Sequence, residues 1–269
     1  MHVVVTGASS GIGREIAKAF DTPGHRLSLV ARRLSLLEEL RREIRTESHA
    51  IQADLSDPAD PIGWLRAAER HFGPVDVLVN NAGLSYVEPV QGIDPQRIAT
   101  LFQVNVHVPI AAIHHVLPGM LERRAGVIVN IVSNAAFSPA PYFCHYTASK
   151  GALGNFSESL RMELKKTGVH VLSVYPGPVE TPMGDRNWAQ LEQSASARMA
   201  PIGSAPVLAK LILAAIAARK ARIIYPRFYL LGWWLPSVGR WVAEHFVPRA
   251  TGAVTPPLPG DLERESRAR

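Results

Sequence analysis

Residues 2–13, HVVVTGASSGIG, carry an apolar run straight into a helical stretch through Gly7, Gly11 and Gly13. A run that is apolar at every position suits a strand buried on both faces, and such a strand needs helices above and below it. Glycines at the junction let the backbone turn tightly and bring its N–H groups close to an anion. The helix N-terminus adds partial positive charge. What separates a pyrophosphate site from an ordinary tight turn is the place of these glycines, at the first strand–helix junction. Gly7, Ser9, Ser10, Gly11, Ile12 and Gly13 are therefore candidate cofactor contacts.

The same alternation continues along the chain. Strand candidates lie at 2–6, 26–30, 49–53, 75–80, 126–133, 169–175 and 221–225, and several are nearly continuous in Val, Ile and Leu. Helical patterns fill 11–20, 34–47, 58–71, 95–121, 146–166 and 205–219. In LSLLEELRREI, Leu34, Leu37, Leu40 and Ile44 make one apolar face with charges between them. Alternation of this kind predicts a single-domain α/β fold, a Rossmann-type doubly wound parallel sheet with right-handed crossovers, over residues 1–225. Within it, 181–204 has weak periodicity and follows a strand, as a substrate lid would. Residues 226–250 form an amphipathic aromatic segment. Residues 251–269, Pro-rich and then charged, read as a disordered tail.

A single cysteine, Cys144, leaves no disulfide framework, and the opening residues show no leader pattern, so the sequence reads as cytoplasmic. The net charge of +6 comes from scattered residues with no stacking aromatics between them. That argues against nucleic acid as a partner and fits an anionic cofactor or a lipid surface. No metal is expected, because no Cys, His and carboxylate set has ligand spacing. His114 and His115, inside an apolar helix, read as packing or a subunit interface. Cys144 and His145 read as pocket lining or packing.

The end of the second strand decides the ribose contact in such a sheet. A carboxylate there suits a free 2′-hydroxyl, and a guanidinium suits a 2′-phosphate. The chain reads LVARRLS, with Arg32 and Arg33 and no acid. This favours NADP(H), with NAD(H) as the alternative if both arginines are only surface charges on the next helix. Ser10 is not basic, so no second phosphate clamp stands in the glycine turn.

Together, TGASSGIG (6–13), NNAG (80–83) and YTASK (146–150) resemble the short-chain dehydrogenase/reductase family, in order and in spacing, over residues 2 to 225. The resemblance implies an oxidoreductase that interconverts a carbonyl and an alcohol; the alternative is a non-catalytic dinucleotide-binding regulator or membrane-associated scaffold on the same fold. The resemblance implies catalytic roles for Tyr146 and Lys150, for Ser133 thirteen residues before the tyrosine, and for Asn105 in FQVNV, which would hold a water linking Lys150 to solvent. It further implies that Asp54 contacts the adenine, that Asn80, Ala82 and Gly83 line the cofactor cleft, and that Lys150 binds the nicotinamide ribose. PGPVETPM (176–183) would hold the nicotinamide through Pro176, Gly177, Val179 and Thr181. It also implies a homodimer or homotetramer. Asn134, after Ser133, departs from the small residue common there.

The chemistry accounts for the pairing of Tyr146 with Lys150. Reduction of a ketone needs a hydride at carbon and a proton at oxygen. A lysine four residues on shares a helical face with the tyrosine. At about 4 Å and an effective dielectric near 20, it would favour the phenolate by about 4 kcal/mol, enough to bring a phenol from about 10 to about 7. Ser133 would hydrogen-bond the substrate oxygen as charge builds there. The small residues Thr147, Ala148, Ser149 and Gly151 would let the helix sit close to cofactor and sheet.

Residues 226–249 hold three of the five tryptophans, with apolar residues recurring at Phe228, Leu231, Leu235, Val238, Val242 and Phe246. Gly232 and Pro236 would kink this stretch. Two readings stand. The segment covers the cleft or a subunit contact, or it lies in a membrane interface with Trp at headgroup level and Arg towards anionic lipid. Either suggests a hydrophobic substrate.

Overall fold

A computed structural model describes residues 1–190 and 201–246. Seven parallel strands form one sheet in the order β3-β2-β1-β4-β5-β6-β7. They are β1 His2–Thr6, β2 Arg26–Ala31, β3 Glu47–Gln52, β4 Val77–Asn80, β5 Gly126–Ile131, β6 Val169–Pro176 and β7 Arg222–Tyr225. The helices are α1 Gly11–Ala19, α2 Leu34–Glu43, α3 Gly63–Phe72, α4 Pro95–Phe102, α5 Val108–Glu122, α6 Cys144–Glu163, α7 Pro182–Ala189, α8 Ala205–Ala217, α9 Leu230–Trp234 and α10 Pro236–Phe246. This is the Rossmann-type, doubly wound single domain that the alternation predicts.

Every residue of β1, β4 and β6 is buried. Alternate residues serve opposite layers, because strand side chains have a period of two. Val3 and Val5 pack with Leu27, Leu29, Ile16, Leu37 and Ile212 under α1, α2 and α8. Val4 packs with Leu78, Ile128, Trp64, Leu65, Ile113 and Leu160 under α3, α5 and α6. β1 pairs with both β2 and β4, so the chain reverses its direction of growth between β1 and β4. A crevice opens at the carboxyl ends of the strands at such a point, where ligands bind in open α/β sheets.

Several boundaries differ from the sequence expectation, each for a physical reason. α2 stops at Glu43 rather than running to 47, because the Asp21 carboxylate accepts the N–H groups of Arg45 and Thr46 and draws the chain into β3. α3 begins at Gly63 rather than 58, after Pro61, whose carbonyl accepts the Trp64 indole N–H. The expected helix 95–121 is interrupted at Gln103–His107, where the backbone widens into a π turn. Pro109 has no N–H to give the carbonyl of Asn105, which favours a break in the regular register here. Across the interruption, Pro95–Glu122 is long and apolar enough to cross a bilayer, but half of its most apolar 18-residue stretch is buried, as in a core helix. α6 starts two residues earlier than expected and carries Tyr146 in its first turn.

Of the expected lid 181–204, residues up to 190 form α7 and its end. Gly203 bridges to Val179, and 191–200 lie outside the described residues. The expected tail 251–269 also lies outside them. In the aromatic segment, Pro236 opens α10 and so separates it from α9.

Candidate active site

The crevice is a cleft of about 1300 Å³ over the carboxyl ends of the strands. One wall is the glycine turn. Gly7 (φ +69°) and Gly11 (φ +57°) adopt left-handed backbone that favours glycine, and a Cβ on Gly7 would sit 3.0 Å from the Ala82 backbone. Gly13 does not line the cleft. A Cβ there would run into the Asn81 side chain and the Gly7 carbonyl, so this glycine lets α1 pack against the end of β4. Gly13→Ala is expected to cost about 1–3 kcal/mol of stability through overpacking, read as a lower urea midpoint with an unchanged slope.

Ser10 is the N-cap of α1, yet no side chain caps the helix. The hydroxyls of Ser9 and Ser10 instead accept hydrogen bonds from Arg33 at 3.1 and 3.0 Å. The first-turn amides of α1 therefore stay open towards the cleft, and a guanidinium is held beside them. This is a cradle for a phosphorylated ligand, with backbone donors, a positive helix end and a fixed cation. Arg32 and Arg33 both line the cleft, but the bonds to the turn come from Arg33. Asp54 also lines the cleft. Hydrogen bonds from Ser56 to its Oδ1 hold its carboxyl below the usual range, and the Arg32 charge works the same way.

Thr6 and Asn81 close the base. The Thr6 hydroxyl accepts the N–H groups of Asn81 and Ala82 at 3.0 and 3.1 Å, and the Asn81 amide donates to Thr6 O at 2.8 Å. Asn81, Ala82 and Gly83 face the cleft. Asn80, expected there, is instead buried within the sheet and donates to Asn130, which donates to Ser157. Adjacent residues at a strand end point to opposite sides, so only one of the two asparagines can face the ligand. The motif NNAG held the signal for Asn81 but not the choice.

Ser133, Tyr146 and Lys150 come together on the opposite wall. Ser133 leaves the end of β5 and is the N-cap of a short 3-10 turn, Asn134–Ala136. Tyr146 stands in the first turn of α6, half-buried, beside Phe143 with ring centroids 6.2 Å apart. Lys150 is buried one turn on, and its Nζ donates to the Ile131 carbonyl at 2.9 Å. Its ammonium is 5.9 Å from the Tyr146 ring centroid.

The electrostatics differ from the spacing argument. Burial pushes the Tyr146 phenol up, and a hydrogen bond with Ser133 works against this. Burial likewise lowers Lys150 to about 8. The expected downward pull of Lys150 on the phenol is not found, because the ammonium is turned to β5 and both groups are desolvated. Each resists its charged form.

Asn105 sits in the π turn, fully buried behind the cleft rather than in its lining. Its Oδ1 accepts Leu84 N–H at 2.8 Å, and its Nδ2 donates to Leu84 O at 2.9 Å and to Ser149 Oγ at 3.0 Å. Ser149 Oγ donates to the Tyr146 carbonyl at 2.7 Å. Asn105 thus ties the loop after NNAG to the turn that carries Tyr146. Sequence reasoning gave Ser149 only bulk. Pro176, Gly177, Val179 and Thr181 line the cleft above β6. The Thr181 hydroxyl caps α7 by accepting Gly184 N–H at 3.1 Å. Cys144 is exposed, and His115 pairs with Glu69 at 2.8 Å on the outside of α5 and α3.

The sequence profile of the short chain dehydrogenase family matches residues 1–192. An uncharacterized oxidoreductase of Staphylococcus epidermidis is 36% identical over 180 residues, which is 67% of this chain and 78% of that one. Among solved structures, a short-chain dehydrogenase from Sphingobium yanoikuyae in complex with NADPH superposes with a TM-score of 0.76 at 28% identity, covering 94% of this chain and 98% of its own. The 3-ketoacyl-(acyl-carrier-protein) reductase from Brucella melitensis, complexed with NADH, gives a TM-score of 0.73 at 27% identity over 84% and 97%. Glycine turn, Asn81 base and Ser133–Tyr146–Lys150 wall thus stand on a sheet shared with these enzymes, and the chain belongs to the short-chain dehydrogenase family of NAD(P)-dependent oxidoreductases.

Proposed function

We propose that the protein is an NADP(H)-dependent oxidoreductase that interconverts a carbonyl and an alcohol on an apolar substrate. One observation carries this reading: Ser133, Tyr146 and Lys150 line the same cleft as the uncapped glycine turn. When bound, the nicotinamide supplies or takes the hydride. The remaining tasks fall to the chain. Tyr146 gives its phenolic proton to the carbonyl oxygen, and Ser133 holds that oxygen by a hydrogen bond. Burial keeps the phenol protonated through neutral pH, which suits an acid in the reductive direction. Lys150, its ammonium held on the Ile131 carbonyl, would bind the ribose of the nicotinamide. Asn105 fixes the Tyr146 turn through Ser149. Phe137, Phe143, Trp188 and Phe228 give the rest of the cleft an apolar lining, which supports an apolar substrate. A homodimer or homotetramer in the cytoplasm completes the proposal.

The cofactor assignment rests on Arg33, which Ser9 and Ser10 hold beside the glycine turn. Titration with NADPH and NADH, in wild type and Arg33→Ala, tests it. Wild type should prefer NADPH. The variant should lose about 10- to 100-fold in NADPH affinity, as expected for charge-assisted hydrogen bonds, and little for NADH. Equal binding of both by wild type overturns the NADP(H) assignment. Binding of neither overturns the catalytic reading.

A further inference from the structure

The α9–α10 segment has two unlike faces. Tyr229, Leu230 and Trp233 pack on Val132, Leu153, Tyr175 and Ile224. Trp233 lies 5.3 Å from the Phe137 ring and 5.1 Å from the Tyr175 ring, so α9 is anchored firmly beside the site. Phe228, Leu231, Trp234, Leu235, Val238 and Trp241, by contrast, form a face exposed to between 40% and 74%. Scattered exposed apolar residues need no account, but six large ones clustered along one short stretch do.

Two further observations say what covers it. The first is charge. Arg227 and Arg240 are exposed within the segment, Glu244 is the only acid in 226–246, and the whole chain carries +6. An anionic surface complements this. The second is continuity. Phe228, Leu231 and Val238 belong both to the exposed face and to the lining of the cleft. A folded partner seated on this face would press against the mouth of the cleft. A fluid apolar phase would not, and it would offer apolar molecules to the mouth. Tryptophans flanked by arginines suit the boundary between headgroups and acyl chains.

We propose that this face seats the protein on an anionic lipid bilayer, with the mouth of the cleft turned towards the membrane. The inference deepens the proposed function, since it makes the apolar substrate one dissolved in lipid. Its test is read without turnover, so the failure of one is distinguishable from the failure of the other. Full-length protein is sedimented with vesicles of phosphatidylcholine mixed with phosphatidylglycerol. Wild type should pellet with them. The double variant Trp234→Glu/Leu235→Glu, at two positions outside the cleft lining, should bind about tenfold or more weakly, with an unchanged circular dichroism spectrum. Wild type that stays in solution, or a variant that binds as well, overturns the proposal. So does a variant that dissociates a wild-type oligomer, which would show that a second copy covers the face. Should the variant fail to fold, vesicles with brominated acyl chains decide the matter in wild type alone. Quenched tryptophan emission supports the proposal, and unquenched emission overturns it.

Discussion

Tyr146→Phe should lower kcat for carbonyl reduction by about 10²- to 10⁴-fold, the range lost with a general acid. NADPH affinity should stay within a few-fold. The substitution removes one oxygen and keeps the ring, which packs beside Phe143, so the cleft keeps its shape. Ser133 remains to bind the substrate oxygen, and the variant should hold substrate without protonating it. The measurement is NADPH oxidation with a reducible ketone, set beside NADPH binding by fluorescence. A variant that keeps most of its turnover would show that the proton comes from elsewhere. A variant that loses NADPH binding would show that the phenol serves the cofactor rather than the reaction.

Lys150→Met should also remove most activity, and it should change how stability depends on pH. Burial lowers the Lys150 pKa from its usual 10.5 to about 8 in the folded protein. Between those values the unfolded chain binds a proton that the folded chain does not. Stability therefore rises with pH across this window, by up to about 3 kcal/mol from this one residue. The variant lacks this contribution. At neutral pH it escapes the burial of a charge but leaves the Ile131 carbonyl without its donor, a loss of about 1–3 kcal/mol. Urea unfolding at pH 7 and pH 10 should therefore show wild type gaining on the variant as pH rises. Equal differences at the two pH values would mean that the folded lysine keeps its ordinary pKa. In wild type, reduction should weaken above about pH 8, where the folded lysine loses its charge.

Much of this architecture is legible in the sequence because several of its strands, β1, β4 and β6 above all, are apolar at nearly every position and its first turn is rich in glycine. Where the reading missed, a distant residue decided. Asp21 ends α2 by capturing two amides far along the chain. No local pattern in LRREI announces that. The two asparagines of NNAG are chemically identical, and only the register of β4 turns Asn81 to the cleft and Asn80 into the sheet. Arg32 and Arg33 are equally basic neighbours. The serines that select Arg33 stand 23 and 24 residues away. Tyr146 and Lys150 share a helical face, but side chains on one face need not point at one another. The lysine instead spans to the end of β5. Spacing fixes which face a group is on, and tertiary contacts fix where its end lies.

The π turn at Gln103–His107 has a consequence for how the molecule can change over time. A straight helix would lock the azimuth of Asn105 to that of every residue in α5, about 100° per residue. The widened turn decouples the two. Asn105 stays fixed by Leu84 and Ser149, while α5 beyond Pro109 keeps its own orientation against the core. His107, His114 and Leu121, exposed on the outside, are thus freed from the demands of the reaction centre. That exterior can be remodelled for a new neighbour without retuning the chemistry a few ångströms beneath it.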